Sequence, residues 1–220
     1  MTKYEDRYPT QGDLAREQLR RRGVPYFADV QEEIKRRLDR LPPLGRAAFA
    51  ASCAERLMRA HEQLPQPEQR PFTMAWRPVL DAAWLALSGN AAEAVERVKH
   101  ALAEFHASPY DHSDGQDGLP DADEDAAAAS IYAAECLATG DGLAASYAAG
   151  RAVDAAFVTA DAELQLDPNA FKWDPNVEPM PLAREAMHPA VQGELRRQLH
   201  DLDLLEREGV IPATLEALRA

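Results

Sequence analysis

The chain has only two cysteines, Cys53 and Cys136, and neither stands at metal-ligand spacing from another cysteine or a histidine. That spacing excludes a disulfide framework and a zinc finger. Each thiol sits in a helical pattern among Ala, Leu and aromatic residues, where a free cysteine behaves as a small buried hydrophobe. Also missing is any run of eighteen apolar residues, because Asp, Glu, Arg or Gly interrupts even the alanine-rich stretches, so no membrane span is expected. The opening residues, MTKYEDRYPTQGD, lack the basic start, apolar middle and small-residue cleavage site of a secretory signal, and a cytoplasmic protein is the expectation. The chain contains no GxSxG, no GxxxxGKS/T and no GxGxxG, so the usual nucleophile elbow and phosphate-cradling loops are absent.

What is present is helical pattern punctuated by Pro and Gly. Asp13 caps a predicted helix that Gly23 ends, and Pro25 opens a second running to about Leu41. A third is predicted from Leu44 to about Gln63. The loop PQPEQRP separates it from a fourth that runs to Ser88, with Pro78 near its start or kinking it. Gly89-Asn90 starts a fifth, to about Ala107. Further helices are predicted up to Thr139, from Leu143 to about Leu164, from Pro189 to Glu208, and from Pro212 onward, with a Pro-rich packed loop at 165–187. No segment shows the period-two alternation of a strand. The fold class expected is all-α, a compact antiparallel bundle of about seven to nine helices without a sheet, with residues 1–34 as a helical extension and 35–220 as the bundle domain.

Helical phase assigns faces at 100° per residue. Phe49, Cys53, Leu57 and Ala60 share one face of the third helix and Glu55 lies on the other. Trp76, Leu80, Ala83 and Leu87 form the stripe of the fourth, with Arg77 and Asp81 spaced for an i,i+4 ion pair. Leu143, Gly150, Phe157 and Leu164 recur every seven residues, among alanines that permit close helix approach.

Three segments, LDRLPPLGRAAFAASCAERL (38–57), RPVLDAAWLALSG (77–89) and HPAVQGELRRQLHDLDLLEREG (188–209), carry a family resemblance. With the acidic helix start near Asp123, they make residues 35–209 similar to the bacterial YjaG-like family of all-helical domains of unknown function. The resemblance implies a compact helical fold and no catalytic residues. Cys53, Glu55, Arg56, Asp81 and Trp84 match its pattern, and packing and intramolecular pairing are the roles expected of them.

Charge points to a class of partner. Residues 1–60 hold 13 Lys+Arg against 9 Asp+Glu, a net +4, and the remaining 160 hold 11 against 28, a net −17. Such a body repels nucleic acid and anionic lipid and steers basic protein surfaces toward itself. The basic runs Arg20-Arg21-Arg22 and Lys35-Arg36-Arg37 have no interleaved aromatics and read as solvated helix faces.

The acidity peaks in DHSDGQDGLPDADEDA, residues 111–126. An EF-hand needs Gly at its sixth position and Glu at its twelfth; counting from Asp121, Ala126 and Tyr132 stand there instead. A di-iron bundle needs two Glu-x-x-His pairs, and Glu185-Ala-Met-His188 is the only one. No metal or cofactor is therefore expected. Asp121, Asp123, Glu124 and Asp125 suit the positive end of a helix dipole, whereas Asp111, Asp114 and Asp117 serve neither capping nor packing. These seven form the expected partner-binding set. The function expected is non-catalytic binding of a basic protein, as an acidic immunity-type inhibitor binds a toxin. The alternative is a metal-binding protein or enzyme whose site is assembled from isolated residues.

Overall fold

The computed structural model describes residues 16–17, 19–21, 26–89, 91–107, 122–166 and 183–220, and it is all-α: among the described residues no strand occurs. The main helices are α1 (Phe27–Leu38), α2 (Pro43–Glu62), α3 (Pro71–Ala75), α4 (Arg77–Leu87), α5 (Ala91–Ala107), α6 (Ala122–Thr139), α7 (Gly142–Leu166), α8 (Ala183–Ala186), α9 (Pro189–Glu208) and α10 (Pro212–Arg219). Prolines open α2, α3, α9 and α10 at their first position, where the missing N–H has no intrahelical partner to lose. The fourth predicted helix is two helices meeting at Trp76, with Pro78 in the first turn of the second.

The bundle is built around α2, which touches α4, α6, α7, α9 and α10. Small residues make this possible. Ala47, Ala48, Ala50, Ala51 and Ala54 are all buried, facing buried alanines of α6 (Ala127, Ala129, Ala133, Ala134) and of α7 (Ala144, Ala145, Ala148, Ala149, Ala152). Helix axes approach closely across such surfaces. Phe49, Met58, Leu80, Trp76 and Trp84 supply the large apolar volume.

A helix ringed by neighbours has no solvent face, and this corrects the face assigned to α2. Ala48, Ala51 and Glu55, on the side opposite Cys53, are as buried as Phe49 and Cys53, while Ala60 is exposed and Leu57 only partly covered; in the same last turns Met58 and His61 are the buried positions. The heptad read on α7 is likewise displaced. Leu143 is 44% exposed and Gly150 half-exposed; the buried ridge is Ala145, Ala148, Ala149, Ala152 and Val153, with Leu164 continuing it. Alanines set the packing, since their interfaces leave no room for a larger seam.

The expected junction between residues 34 and 35 falls inside α1, whose Val30, Ile34 and Leu38 enter the same core. Beside it, Leu19, Ala186 and Met187 form a satellite cluster against Tyr26, Phe27 and Phe157.

Between α6 and α7 the chain turns at Gly140, whose φ of 74° suits glycine; a Cβ there would lie 3.0 Å from that of Pro43. The Arg46 guanidinium binds this corner, donating to the carbonyls of Gly140 (3.0 Å), Leu38 (2.9 Å) and Asp39 (3.1 Å). It thereby satisfies α1's C-terminal carbonyls, which have no helical partner.

Two ionic networks on α2 fix its neighbours. Glu55 is 3% exposed and receives Arg77 in a two-pronged pair, Nη1 to Oε1 at 3.1 Å and Nη2 to Oε2 at 2.9 Å. Arg59 Nε donates to Oε1 at 3.0 Å and Trp84 Nε1 to Oε2 at 2.9 Å. The expected Arg77–Asp81 pair forms, and Arg219 of α10 joins it through Asp81 at 2.6 Å while lying 5.8 Å from the Trp84 ring centroid. On an adjoining face of α2, Arg56 binds Asp201 at 2.7 Å and Glu194 at 2.8 Å on α9, and Ser52 donates to Asp201 at 2.9 Å. Glu55, Arg56, Asp81 and Trp84 are therefore paired within the fold, and Cys53 is packed in its core.

Burial alone would raise the Glu55 pKa, but the bonds from Arg77, Arg59 and Trp84 outweigh it and hold the carboxyl below its ordinary range; a bond from Arg77 does the same for Asp81. Both carboxylates stabilise the fold above the unfolded pKa, and that contribution is lost as pH falls through the depressed folded values. Urea denaturation should show stability nearly flat from neutrality to about pH 5 and falling below about pH 4. Glu55→Ala strands Arg77 and the indole N–H and should cost about 3–5 kcal/mol. An unchanged urea midpoint would show that the network adds nothing.

Candidate functional site

The acidic stretch contributes to the described structure only at its end. Asp111, Asp114, Asp117 and Asp121 lie outside the described residues. Asp123 and Glu124 belong to the first turn of α6, the end of a helix that acidic residues favour. Asp125 departs from the partner-binding expectation. Its carboxylate is 1% exposed and pairs with Arg151 of α7 at 3.4 Å, so it ties α6 to α7 and offers no charge to a visiting surface. The physical reason is rotation: each residue of a helix turns by about 100°, so successive members of an acidic run take different faces, and Asp125 takes the inward one.

The arginines follow a pattern that local sequence does not show. Arg37 of α1 clasps Glu206 at 2.7 Å and 2.8 Å and Asp203 at 2.7 Å on α9. Arg46, Arg56, Arg77 and Arg151 similarly reach across helices to carbonyls or carboxylates. Burial opposes charge on Arg56 and Arg77, yet the facing carboxylates more than offset it and raise both pKa values. These five arginines thus act as cross-links within the bundle. Carboxylates of the outer surface, among them Glu93, Glu96, Glu104, Asp161, Glu163, Glu208 and Glu216, are exposed.

Two histidines, His61 and His188, take structural positions, whereas His100, His106 and His200 are exposed. His188, 5% exposed, accepts the Ala190 N–H through Nδ1 at 3.3 Å as the N-cap of α9, and its Nε2 lies 3.2 Å from Glu163. Glu185, its partner in the Glu-x-x-His spacing, serves through a backbone carbonyl that accepts the His188 N–H. His61 accepts the Arg70 N–H at 3.1 Å and holds down the loop after α2. Among the described residues no three His, Cys, Asp or Glu side chains converge as a metal set.

Both thiols are buried, and burial pushes each up to about 12. The thiolate is the nucleophile. A thiol reagent at pH 8 should leave Cys53 and Cys136 unmodified for as long as the protein stays folded and label both in denaturant. Rapid native labelling of either one would overturn the burial assigned to it.

Among the described residues no helix is long and apolar enough to cross a membrane. No family model, curated protein or solved structure matches the chain.

Proposed function

We propose that this protein acts by binding a basic protein partner, and that it does so as an acidic, non-catalytic inhibitor of the immunity type. The observation that carries the reading is the division of charge. Residues 61–220 carry a net −17 in the sequence, and among the described residues Arg77 and Arg151 are engaged in ties between helices while Glu93, Glu96, Glu104, Asp161, Glu163, Glu208 and Glu216 are exposed. A surface of one sign raises the encounter rate with a partner of the opposite sign and does little for the fold. The acidic stretch adds Asp111, Asp114, Asp117 and Asp121 to that field, followed by Asp123 and Glu124 where α6 begins.

The YjaG-like resemblance belongs to the same proposal. Its three segments are neighbours in space: Glu55 joins the first to Arg77 and Trp84 of the second, and Arg56 joins it to Glu194 and Asp201 of the third.

An inhibitor of this type is encoded beside its target. Expression of the neighbouring gene alone should arrest growth, and co-expression of this chain should relieve the arrest. Replacing Asp111, Asp114 and Asp117 together with Asn should leave Tm nearly unchanged, since on this reading the three charges serve the partner and not the fold. Association with the neighbouring product should slow several-fold at low salt, with the difference vanishing as the Debye length shrinks below about 8 Å. A harmless neighbour that does not bind would overturn the inhibitor reading. Salt-independent association, identical in the triple variant, would remove the acidic stretch from the interface.

A further inference from the structure

Most polar groups on the inner helices have a partner within the fold; the buried side-chain atoms without a hydrogen-bond partner among the described residues include Glu185 Oε2, Thr214 Oγ1 and Gln198 Oε1, and the last belongs to a residue that borders a cleft. A cleft of about 670 Å³ opens between α1, α6 and α7, with Gln198 of α9 at its inner end. That volume lies within the range of small-molecule sites. Glu32 and Lys35 stand three apart on α1, in its wall, yet they pair neither with each other nor with any other described residue. Ser130, Thr139 and Thr159 return their hydroxyls to helix carbonyls, but the Ser146 hydroxyl in the cleft does not.

The cleft also has recognisable chemistry. Tyr132 and Tyr147 face each other at its edge with ring centroids 5.2 Å apart, and Tyr147 is 49% exposed. Arg151 is engaged through Nη1 alone, by Asp125 at 3.4 Å and Asp154 at 3.9 Å, leaving the rest of its fork without a described partner. Two cations, Lys35 and Arg151, and two carboxylates, Glu32 and Asp154, line the same space. Buried behind them, Gln198 Oε1 has no hydrogen-bond donor among the described residues, the kind of orphan that an ordered water or a ligand N–H satisfies.

Packing does not account for the open space. Gly150 forms part of the floor in mid-helix, where glycine is unfavourable, and a Cβ placed there would meet no atom within 4 Å. The glycine therefore serves no close helix contact. A larger side chain at this position would enter the cleft.

We propose that this cleft binds a small zwitterion carrying a flat ring, of the aromatic amino acid class. Its carboxylate is taken by Lys35 and the open side of Arg151, its ammonium by Glu32 and Asp154, and its ring stacks on Tyr147. The balance of two cations with two carboxylates selects a molecule that bears both charges over a simple anion or cation. The tyrosine pair adds an aromatic platform, on which offset or edge-to-face contact is favoured. Binding here is separate from docking of a protein partner and is measured on the chain alone.

Titration of the full chain with free L-tryptophan, followed by calorimetry or ligand-observed NMR, should show saturable one-site binding below about 1 mM. Tryptamine, which lacks the carboxylate, and indole-3-propionate, which lacks the ammonium, should each bind at least about tenfold more weakly. Gly150→Leu should keep the parent's circular dichroism and Tm and lose binding. If Gly150→Leu does not fold, Tyr147→Ala and Lys35→Gln, both at exposed positions, decide the matter by weakening binding at least about fivefold. No binding of L-tryptophan or L-phenylalanine at about 10 mM would overturn the proposal. So would tryptamine or indole-3-propionate binding as tightly as L-tryptophan, or undiminished binding by a folded Gly150→Leu protein.

Discussion

A carboxylate placed inside a bundle of alanines must be answered by cations, and around Glu55 that requirement arranges three helices. Alanine interfaces are tight but nearly featureless: one small side chain resembles the next, and a slide of one turn along α6 or α7 exchanges like for like. Ion pairs are not interchangeable in this way. Arg77 meets Glu55 in a planar two-pronged contact, the Trp84 indole reaches the same carboxylate, and Arg219 closes over that indole from the C-terminal helix. Such a pair contributes little net stability over an apolar replacement, because desolvation consumes most of the Coulomb gain. What it supplies is register, fixing which turn of α4 and of α10 sits against which turn of α2.

The second network does the same for α9. Arg56 is held between Glu194 and Asp201, two turns apart on that helix, so neither a rotation nor a shift of α9 preserves both contacts. Arg37 repeats the arrangement from α1 with Asp203 and Glu206. This use of arginine shapes the surface as well as the interior. Arg37, Arg56, Arg77 and Arg151 each neutralise carboxylates within the fold, and many of the other described carboxylates of a chain with net charge −13 are exposed. Fold and long-range field thus come from the same allocation of residues.

The fold was legible because its marks are local. Prolines and glycines delimit the helices, and the boundaries of α2, α9 and α10 fall within a residue or two of those marks. The Arg77–Asp81 pair was legible for the same reason, four residues apart on one helix. The networks were not. Glu55 and Arg77 are 22 residues apart and Arg56 and Asp201 are 145 apart, and nothing in either segment signals the other. Periodicity also fails for helices that are apolar all round, since a face can be read only where a polar side exists. Hence Glu55 looked like the far side of α2 when it is among its most constrained positions. Asp125 failed for a related reason: composition groups it with the acidic run, and helical rotation separates it.

Two glycines flanking the same stretch of α7 show how a structure distinguishes residues that sequence treats alike. Gly140 has a positive φ and lies where any side chain would press on Pro43, so the corner between α6 and α7 needs it. Gly150 is helical, with open space above it. Relative to alanine, a mid-helix glycine costs about 1 kcal/mol, and a helix otherwise rich in alanine gives its sequence every means of avoiding that cost. Nor is the open space an apolar void that a neighbour failed to fill. It is bordered by Lys35, Glu32, Ser146 and two tyrosines. Local rules are broken most often where a site requires it. On α7 the rule of small residues for close packing is obeyed at Ala145, Ala148 and Ala152 and broken at Gly150, on the face that borders the cleft.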